Sequence, residues 1–223
     1  MEVEFPRSTD GRLHGFGGVC GFVVEPGAKV TEAVPAAKPR YVAYGDSITQ
    51  GFTASRTDRT YAFLLAEAQG WQLINLGFGG RQSNATDGDL IATLGADHIS
   101  LFIGINDWQQ GREPWILQES LRRTLRSIRE QQPHVPVFLL TPLRVSPNWK
   151  PAKACFPLED YARAVSALAA ELQAQGDRHV HLIRGDELID HEERCFDPVL
   201  VHPNDAGFSQ MAERLAQRIR AVR

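Results

Sequence analysis

The 223-residue chain carries 24 basic and 27 acidic side chains, and its formal net charge of −3 gives no indication of a nucleic-acid partner. Its length is enough for one hydrophobic core, and 43% hydrophobic and 23% charged residues are ordinary for a globular protein. No stretch is apolar for long enough to cross a bilayer, and the first residues lack the regions of a signal peptide. We therefore predict a cytoplasmic protein with no membrane partner, with a leader removed before Met1 as the alternative.

The N-terminal 40 residues differ in composition and residue pattern from the rest of the chain. Glycines, prolines and short Val/Phe runs alternate there, and no helical period is visible. Residues 15–24 predict one or two strands. We interpret residues 1–40 as a β-rich extension, or the remnant of a β module, and residues 41–223 as the main domain.

From Tyr41 onward, strand-like and helix-like segments alternate at intervals suited to βαβ units. The predicted strands are an apolar run from Tyr41 to Gly45 and residues 72–76, 98–103, 135–140 and 179–183. Apolar pairs at helical spacing predict the helices; they include Leu64 and Ala68, Leu90 and Leu94, Leu121 and Leu125, Val165 and Leu168, and Met211 and Leu215. The pattern predicts a five-stranded parallel sheet in a three-layer α/β/α sandwich.

Three of these strands end in polar or glycine-rich loops. The sequences are Gly-Asp-Ser ending at Ser47, Gly-Gly ending at Gly80, and Gly-Ile-Asn-Asp around Asn106. In a parallel sheet these loops share one edge, which is where such sheets bind ligands. Ser47 can supply both a nucleophilic hydroxyl and a backbone N–H for an oxyanion, and Gly80 and Asn106 can supply further donors. The alternatives are a helix N-cap for Ser47, a plain turn for Gly80 and an Asx-turn for Asn106.

A serine hydroxyl needs a base at neutral pH, and His202 is the candidate. It lies in Val-His-Pro-Asn-Asp directly before the last predicted helix, in a loop that should return to the same edge as Ser47. Pro203 in the first turn and Asn204 or Asp205 as the cap would fix that loop. The other histidines lie in strands or on the predicted surface. The alternative is that His202 is an ordinary loop residue.

Three cysteines, Cys20, Cys155 and Cys195, are odd in number and far apart in the sequence. This spacing argues against a disulfide framework or a cysteine-rich metal site. We predict free thiols, with a bridge between Cys155 and Cys195 as the alternative.

Taken together, these blocks resemble those of the SGNH hydrolases, also called GDSL esterases and lipases, over about residues 41–222. The resemblance implies a flavodoxin-like fold and ester hydrolysis through an acyl-enzyme, with no metal and no cofactor. It implies that Ser47 is the nucleophile and an oxyanion donor, that Gly80 and Asn106 are the other donors, and that His202 is the general base. This chain departs from the family pattern at one position. The family usually has an aspartate three residues before the histidine, and this chain has Val199 there. Either Asp197 reaches the imidazole instead, or a backbone carbonyl orients the ring.

Substrate recognition is less clearly marked in the sequence. Trp108 follows the Asn106 block, and Arg144 and Trp149 lie in a proline-containing loop that should overhang the same edge; they are the candidate substrate-binding residues, with a packed loop as the alternative. The N-terminal segment resembles the tail of a jelly-roll module that precedes this domain in some carbohydrate-active esterases. We therefore predict a small-molecule or carbohydrate ester as substrate, with an acetyl or short acyl group. The alternatives are an acyltransferase and a non-catalytic carbohydrate-binding protein, and the sequence does not predict the oligomeric state.

Overall fold

The computed structural model describes Gly27, residues 37–145, Trp149, residues 151–197 and residues 201–222. The strands predicted over residues 15–24 lie outside the described residues. From Lys38 onward the described part forms one compact unit. No helix in that described part is long and apolar enough to cross a membrane.

Five parallel strands form the central sheet, as the sequence predicts. The strands are β1 (Arg40–Gly45), β2 (Gln72–Gly77), β3 (His98–Phe102), β4 (Val137–Leu140) and β5 (Val180–Ile183). Their order is β2-β1-β3-β4-β5, which is the flavodoxin-like order. Every residue of β1 after Arg40 is buried, because helices cover both faces of a parallel sheet.

Two groups of helices cover the sheet. The helices are α1 (Ser47–Gln50), α2 (Tyr61–Gln69), α3 (Asp87–Thr93), α4 (Ile105–Gln109), α5 (Pro114–Gln131), α6 (Leu158–Ala174) and α7 (Asp205–Ala221). Helix α2 packs against α7, while α5 packs against both α3 and α6. The strand order reverses at β1, so right-handed crossovers place α2 and α3 on opposite faces of the sheet. The result is the predicted three-layer α/β/α sandwich.

Some boundaries differ from the sequence prediction for local reasons. Strand β4 begins at Val137 rather than at residue 135, because Pro136 has no N–H for the ladder, although its carbonyl still accepts from Ile99 N at 3.0 Å. Asn204 caps α7 through its side chain, so Pro203 lies before the cap and not in the first turn. Cys155 and Cys195 are free thiols, so the alternative of a bridge between them is wrong.

The strand register brings the ends of β1, β2 and β3 level. Gly45 pairs with Gly77 on one side and with Phe102 on the other. In addition, Phe78 N donates to Gly45 O at 3.1 Å, directly beyond the end of the ladder. The three polar loops predicted from the sequence therefore leave the sheet at one edge.

Candidate active site

Ser47 lies at the point where β1 turns into α1. Asp46 is the N-cap of α1, and its Oδ1 accepts from Ile48 N at 2.9 Å, so the alternative of Ser47 as the N-cap is wrong. Ser47 is the first helical residue, where a backbone N–H has no partner within the helix. The turn needs glycine at position 45, since a Cβ there would come within 2.1 Å of Thr49 Oγ1. The side chain and N–H of Ser47 are thus presented together at the edge of the sheet.

His202 meets Ser47 at this edge. Its Nε2 lies 2.8 Å from Ser47 Oγ, which is hydrogen-bond distance for a nucleophile and its base. The ring of Phe52 lies beside the imidazole, with 5.2 Å between centroids. Nε2 can accept the Ser47 proton only in the tautomer that carries its proton on Nδ1.

Contacts from the segment after α1 hold the His202 loop in place. Thr53 Oγ1 donates to Pro203 O at 2.7 Å, and Ser55 N donates to Asp205 Oδ1 at 2.6 Å. The Ser55 hydroxyl also donates to the Asp205 carboxylate. These groups are 150 positions apart in the sequence, and nothing in the local pattern identifies them as partners. They tie the loop of the histidine to the turn of the serine.

Asp197 lies on the Nδ1 side of the His202 ring. Its Oδ2 is 4.0 Å from Nδ1, which is outside hydrogen-bond distance. The two residues also pair through the backbone, where Asp197 N donates to His202 O at 2.9 Å and His202 N to Asp197 Oδ1 at 3.4 Å. The carboxylate is mostly buried, with 10% of its side chain exposed. This arrangement permits an electrostatic interaction with an imidazolium.

Gly80 lies in a tight turn between β2 and α3. The N–H of Arg81 donates to Phe78 O at 3.1 Å, and Gly80 has a φ of +76°, the value that the third position of a type II turn requires. The hydrogen bond of the turn itself therefore does not use the N–H of Gly80. Asn106, in α4, connects to the same turn, since its Nδ2 donates to Arg81 O at 3.0 Å. The second N–H of the Asn106 amide is then oriented by this bond.

Asp107 supports the loops that carry these donors. Its side chain is fully buried and accepts from Ser83 N at 3.0 Å, Ser83 Oγ at 2.7 Å and Arg112 Nη1 at 2.8 Å. Asp46 accepts from the backbone N–H of Ile48 within its own turn, whereas Asp107 accepts from Ser83 N in the loop after β2, 24 residues earlier. Arg112 carries no sequence signal for this role, because no pattern links it to a loop 29 positions earlier.

Burial controls the ionisation of Asp46. Desolvation raises its pKa from 3.8 to about 7, against the hydrogen bond from Ile48 N, which lowers it. The unfolded chain releases this proton near pH 3.8, so the folded state binds more protons between about pH 4 and pH 7. Protonated Asp46 therefore stabilises the folded state at the acidic end of this interval, and the free energy of unfolding falls as the pH rises through it.

We expect Asp46→Asn to reduce this pH dependence, because asparagine keeps the capping oxygen but does not ionise. The wild type should lose on the order of a few kcal/mol more stability than the variant between pH 4.5 and pH 7.5. Urea unfolding of both proteins at the two pH values measures the difference. An equal loss in both proteins would contradict the assignment of this effect to Asp46.

The candidate substrate-binding residues lie in different surroundings. Trp108 is buried, donates from Nε1 to Phe156 O at 3.0 Å, and packs edge-on against Trp149 at 5.4 Å between centroids. Arg144 is exposed and lines a cavity of about 470 Å³ between the ends of β4 and β5 and helix α6. The substrate-binding role of these three residues stays a prediction.

Comparison with known proteins identifies the family of the chain. Residues 43–209 match the GDSL-like lipase/acylhydrolase family. No curated protein matches the chain. Among solved structures, it is similar to the salicylyl-acyltransferase SsfX3 from a tetracycline biosynthetic pathway, with 31% identity, a TM-score of 0.74 and coverage of 84% of this chain and 55% of that chain.

Two further solved structures share the fold at lower identity. One is a GDSL-like protein from Bacteroides ovatus, with 23% identity, a TM-score of 0.71 and coverage of 83% of this chain and 53% of that chain. The other is a carbohydrate esterase family 2 enzyme with its carbohydrate-binding domain from Corynascus thermopiles (Myceliophthora fergusii), with 18% identity, a TM-score of 0.67 and coverage of 86% and 68%. The chain spans about half the length of SsfX3 and of the Bacteroides protein. Because the family match extends over most of the domain and includes Ser47, Gly80, Asn106 and His202, the chain belongs to the GDSL-like lipase/acylhydrolase family.

Proposed function

We propose that this protein is a serine esterase that hydrolyses short-acyl esters through an acyl-enzyme. The observation that carries the proposal is the 2.8 Å distance between His202 Nε2 and Ser47 Oγ at the carboxyl edge of the sheet. A hydroxyl in this position is a weak nucleophile until a neighbouring base takes its proton. Membership of an acylhydrolase family supports the same reaction.

The first half of the reaction follows from the positions of these groups. His202 Nε2 takes the Ser47 proton while Oγ forms a bond to the ester carbonyl carbon. The carbonyl oxygen becomes an oxyanion, for which the N–H groups of Ser47 and Gly80 and the Asn106 amide are the donors. The C–O bond to the alcohol then breaks, and the imidazolium gives its proton to the leaving oxygen. An acyl group remains on Ser47.

Water completes the cycle in the second half. His202 takes a proton from the water, the hydroxide attacks the acyl carbon, and the acid leaves as Ser47 recovers its proton. We propose that Asp197 completes a Ser-His-Asp triad with Ser47 and His202. Its carboxylate, 4.0 Å from Nδ1, stabilises the imidazolium electrostatically. Esters of short acyl groups, including those of carbohydrates, are the substrate class that we propose on the basis of the sequence.

Acyl transfer to an alcohol is a second candidate. Its support is the 31% identity to the acyltransferase SsfX3 over 84% of this chain. The two reactions share the acyl-enzyme and differ only in whether water or an alcohol attacks it.

One experiment tests the function and separates the two candidates. The protein is incubated with p-nitrophenyl butanoate, with and without added glycerol, and free acid and glycerol ester are quantified. For a hydrolase we expect butanoic acid to remain the main product at glycerol concentrations at which an acyltransferase would form mainly glycerol butanoate. Formation of neither product would refute the proposed function and favour a non-catalytic role.

A further inference from the structure

A small cavity is lined by both ends of the turn that contains Gly80, one of the proposed oxyanion donors. It has a volume of about 210 Å³ and lies between the ends of β1 and β2 and helix α3. We call it the β2–α3 pocket; its walls include the apolar side chains of Leu76, Phe78, Leu90 and Ile91, the ring of Tyr44, and the charged pair Arg81 and Asp87. We propose that this pocket binds the acyl arm of the ester and selects acyl groups of about six carbon atoms or a single ring. The proposal rests on the proposed function and specifies its substrate.

The pocket and the proposed oxyanion donors share one turn. Phe78 and Arg81, the two ends of the turn that contains Gly80, both line the pocket. Phe78 N donates to Gly45 O at 3.1 Å, two residues before Ser47, and Arg81 O accepts from Asn106 Nδ2 at 3.0 Å. An acyl group attached to Ser47, with its oxygen near Gly80 N, would therefore have the pocket within reach.

The positions of the helices indicate whether the acyl arm or the alcohol arm of the ester enters the pocket. His202 precedes α7, which packs against α2 on one face of the sheet, whereas the pocket is formed against α3 on the opposite face. His202 must protonate the leaving oxygen, so the alcohol arm lies on the His202 side of the tetrahedral carbon. The acyl arm then points away from His202, towards the pocket.

The charged side chains in the pocket wall contact its rings and one another. The Arg81 guanidinium carbon lies 5.1 Å from the centroid of the Tyr44 ring and 5.7 Å from that of Phe78. Arg81 Nη1 is 3.0 Å from Asp87 Oδ2, and the Tyr44 hydroxyl donates to the same carboxylate. Because Asp87 already balances the charge of Arg81, the pocket offers apolar contact to a ligand rather than an ion pair.

The volume limits the length of the acyl group. A cavity of about 150 Å³ lined by apolar side chains is large enough for a benzene ring, so about 210 Å³ takes a hexanoyl or benzoyl group. An acetyl group fills little of the space, and a dodecanoyl chain exceeds it. Each methylene that becomes buried contributes about 4-fold to binding, so a hexanoyl ester should react faster than an acetyl ester.

A series of p-nitrophenyl esters tests the proposal, since the leaving group stays constant. We expect kcat/KM to be at least about 10-fold higher for hexanoyl than for acetyl, and to fall again for dodecanoyl. Phe78→Ala should lower the hexanoyl-to-acetyl ratio by about 10-fold and Leu90→Ala by about 4-fold, because each removes part of the wall. Phe63→Ala is the matched control, since Phe63 is similarly exposed but lies on α2, and it should leave the ratio unchanged.

The possible outcomes separate the pocket from the function. If Phe78→Ala hydrolyses the esters but keeps the wild-type hexanoyl-to-acetyl ratio, the pocket assignment is refuted while the proposed function stands. A second series varies the alcohol at constant butanoyl. If Phe78→Ala changes the preference among these alcohols instead, the pocket holds the leaving group and the acyl assignment is wrong. If the wild type hydrolyses none of the esters, the proposed function fails and the inference fails with it.

Discussion

We expect Ser47→Ala to lower kcat/KM for p-nitrophenyl butanoate by at least about 10⁴-fold, because alanine removes the hydroxyl that forms the acyl-enzyme in the proposed mechanism. Residual turnover would come from the oxyanion donors and from substrate binding alone. Ser127→Ala is the matched control. Ser127 lies on α5, away from the carboxyl edge of β1, and its loss should leave kcat/KM within about 2-fold of the wild type.

A covalent probe distinguishes loss of the nucleophile from loss of the fold. A fluorophosphonate should add one phosphonyl group to the wild type and to Ser127→Ala, and peptide mass spectrometry should place the adduct on Ser47. Ser47→Ala should not react, while its circular dichroism spectrum and unfolding midpoint stay close to those of the wild type. If Ser47→Ala kept full esterase activity, or if the wild type were labelled at another serine, the proposed mechanism would be wrong.

The second large effect is expected for Asp107→Ala. The buried carboxylate accepts from the N–H and hydroxyl of Ser83 and from Arg112; alanine leaves the two Ser83 donors without this acceptor, while Arg112 keeps its bond to Ser83 O. The two Ser83 donors left buried without this acceptor cost about 3 kcal/mol together, whereas the Arg112 side chain, 27% exposed, can still reach water. We expect the free energy of unfolding, measured in urea, to fall by about that amount.

The same substitution should also slow the reaction in protein that remains folded. Asn106 precedes Asp107, and Ser83 follows the Gly80–Arg81 turn by two residues, so both proposed oxyanion donors lose their support. Loss of such donors weakens binding of the transition state more than binding of the substrate. We therefore expect kcat to fall by at least about 10-fold with a smaller change in KM.

Asp160→Ala provides the comparison for stability. Asp160 pairs with Arg163, whose side chain is 72% exposed, so the loss should be below about 1 kcal/mol, with kcat unchanged. If Asp107→Ala were as stable and as active as Asp160→Ala, the supporting role of the buried carboxylate would be refuted.

The strands and their polar ends could be predicted because their signals are local. A run of buried apolar residues that stops at glycine identifies a parallel strand, and parallel strands place their ends at one edge whatever the details of packing. This is why Ser47, Gly80, Asn106 and His202 could be selected from spacing and type before any coordinates. Strand β4 shows the limit of that approach, since Pro136 shortens it by a rule of hydrogen bonding that the apolar pattern does not contain.

The supports of the site could not be predicted, because they join residues with no sequence relation. Thr53 and Ser55 hold the His202 loop from 150 positions away, and Arg112 reaches Ser83 from 29. The position of Asp197 also depends on the fold. Its distance of 4.0 Å from the imidazole follows from backbone pairing with His202, and counting residues in the loop does not give it.

The amino-acid sequence alone therefore determined the parallel α/β architecture, the family resemblance and the candidate nucleophile and base. All of these depend on hydrophobic periodicity and on short motifs that are read within a few residues. Only the tertiary structure decided that Asp46, and not Ser47, caps α1, that burial raises the pKa of Asp46 to about 7, and that a pocket of about 210 Å³ lies beside the Gly80 turn. Burial, register and cavity volume are set by residues that meet from distant parts of the chain, and that meeting exists only once the sheet has formed.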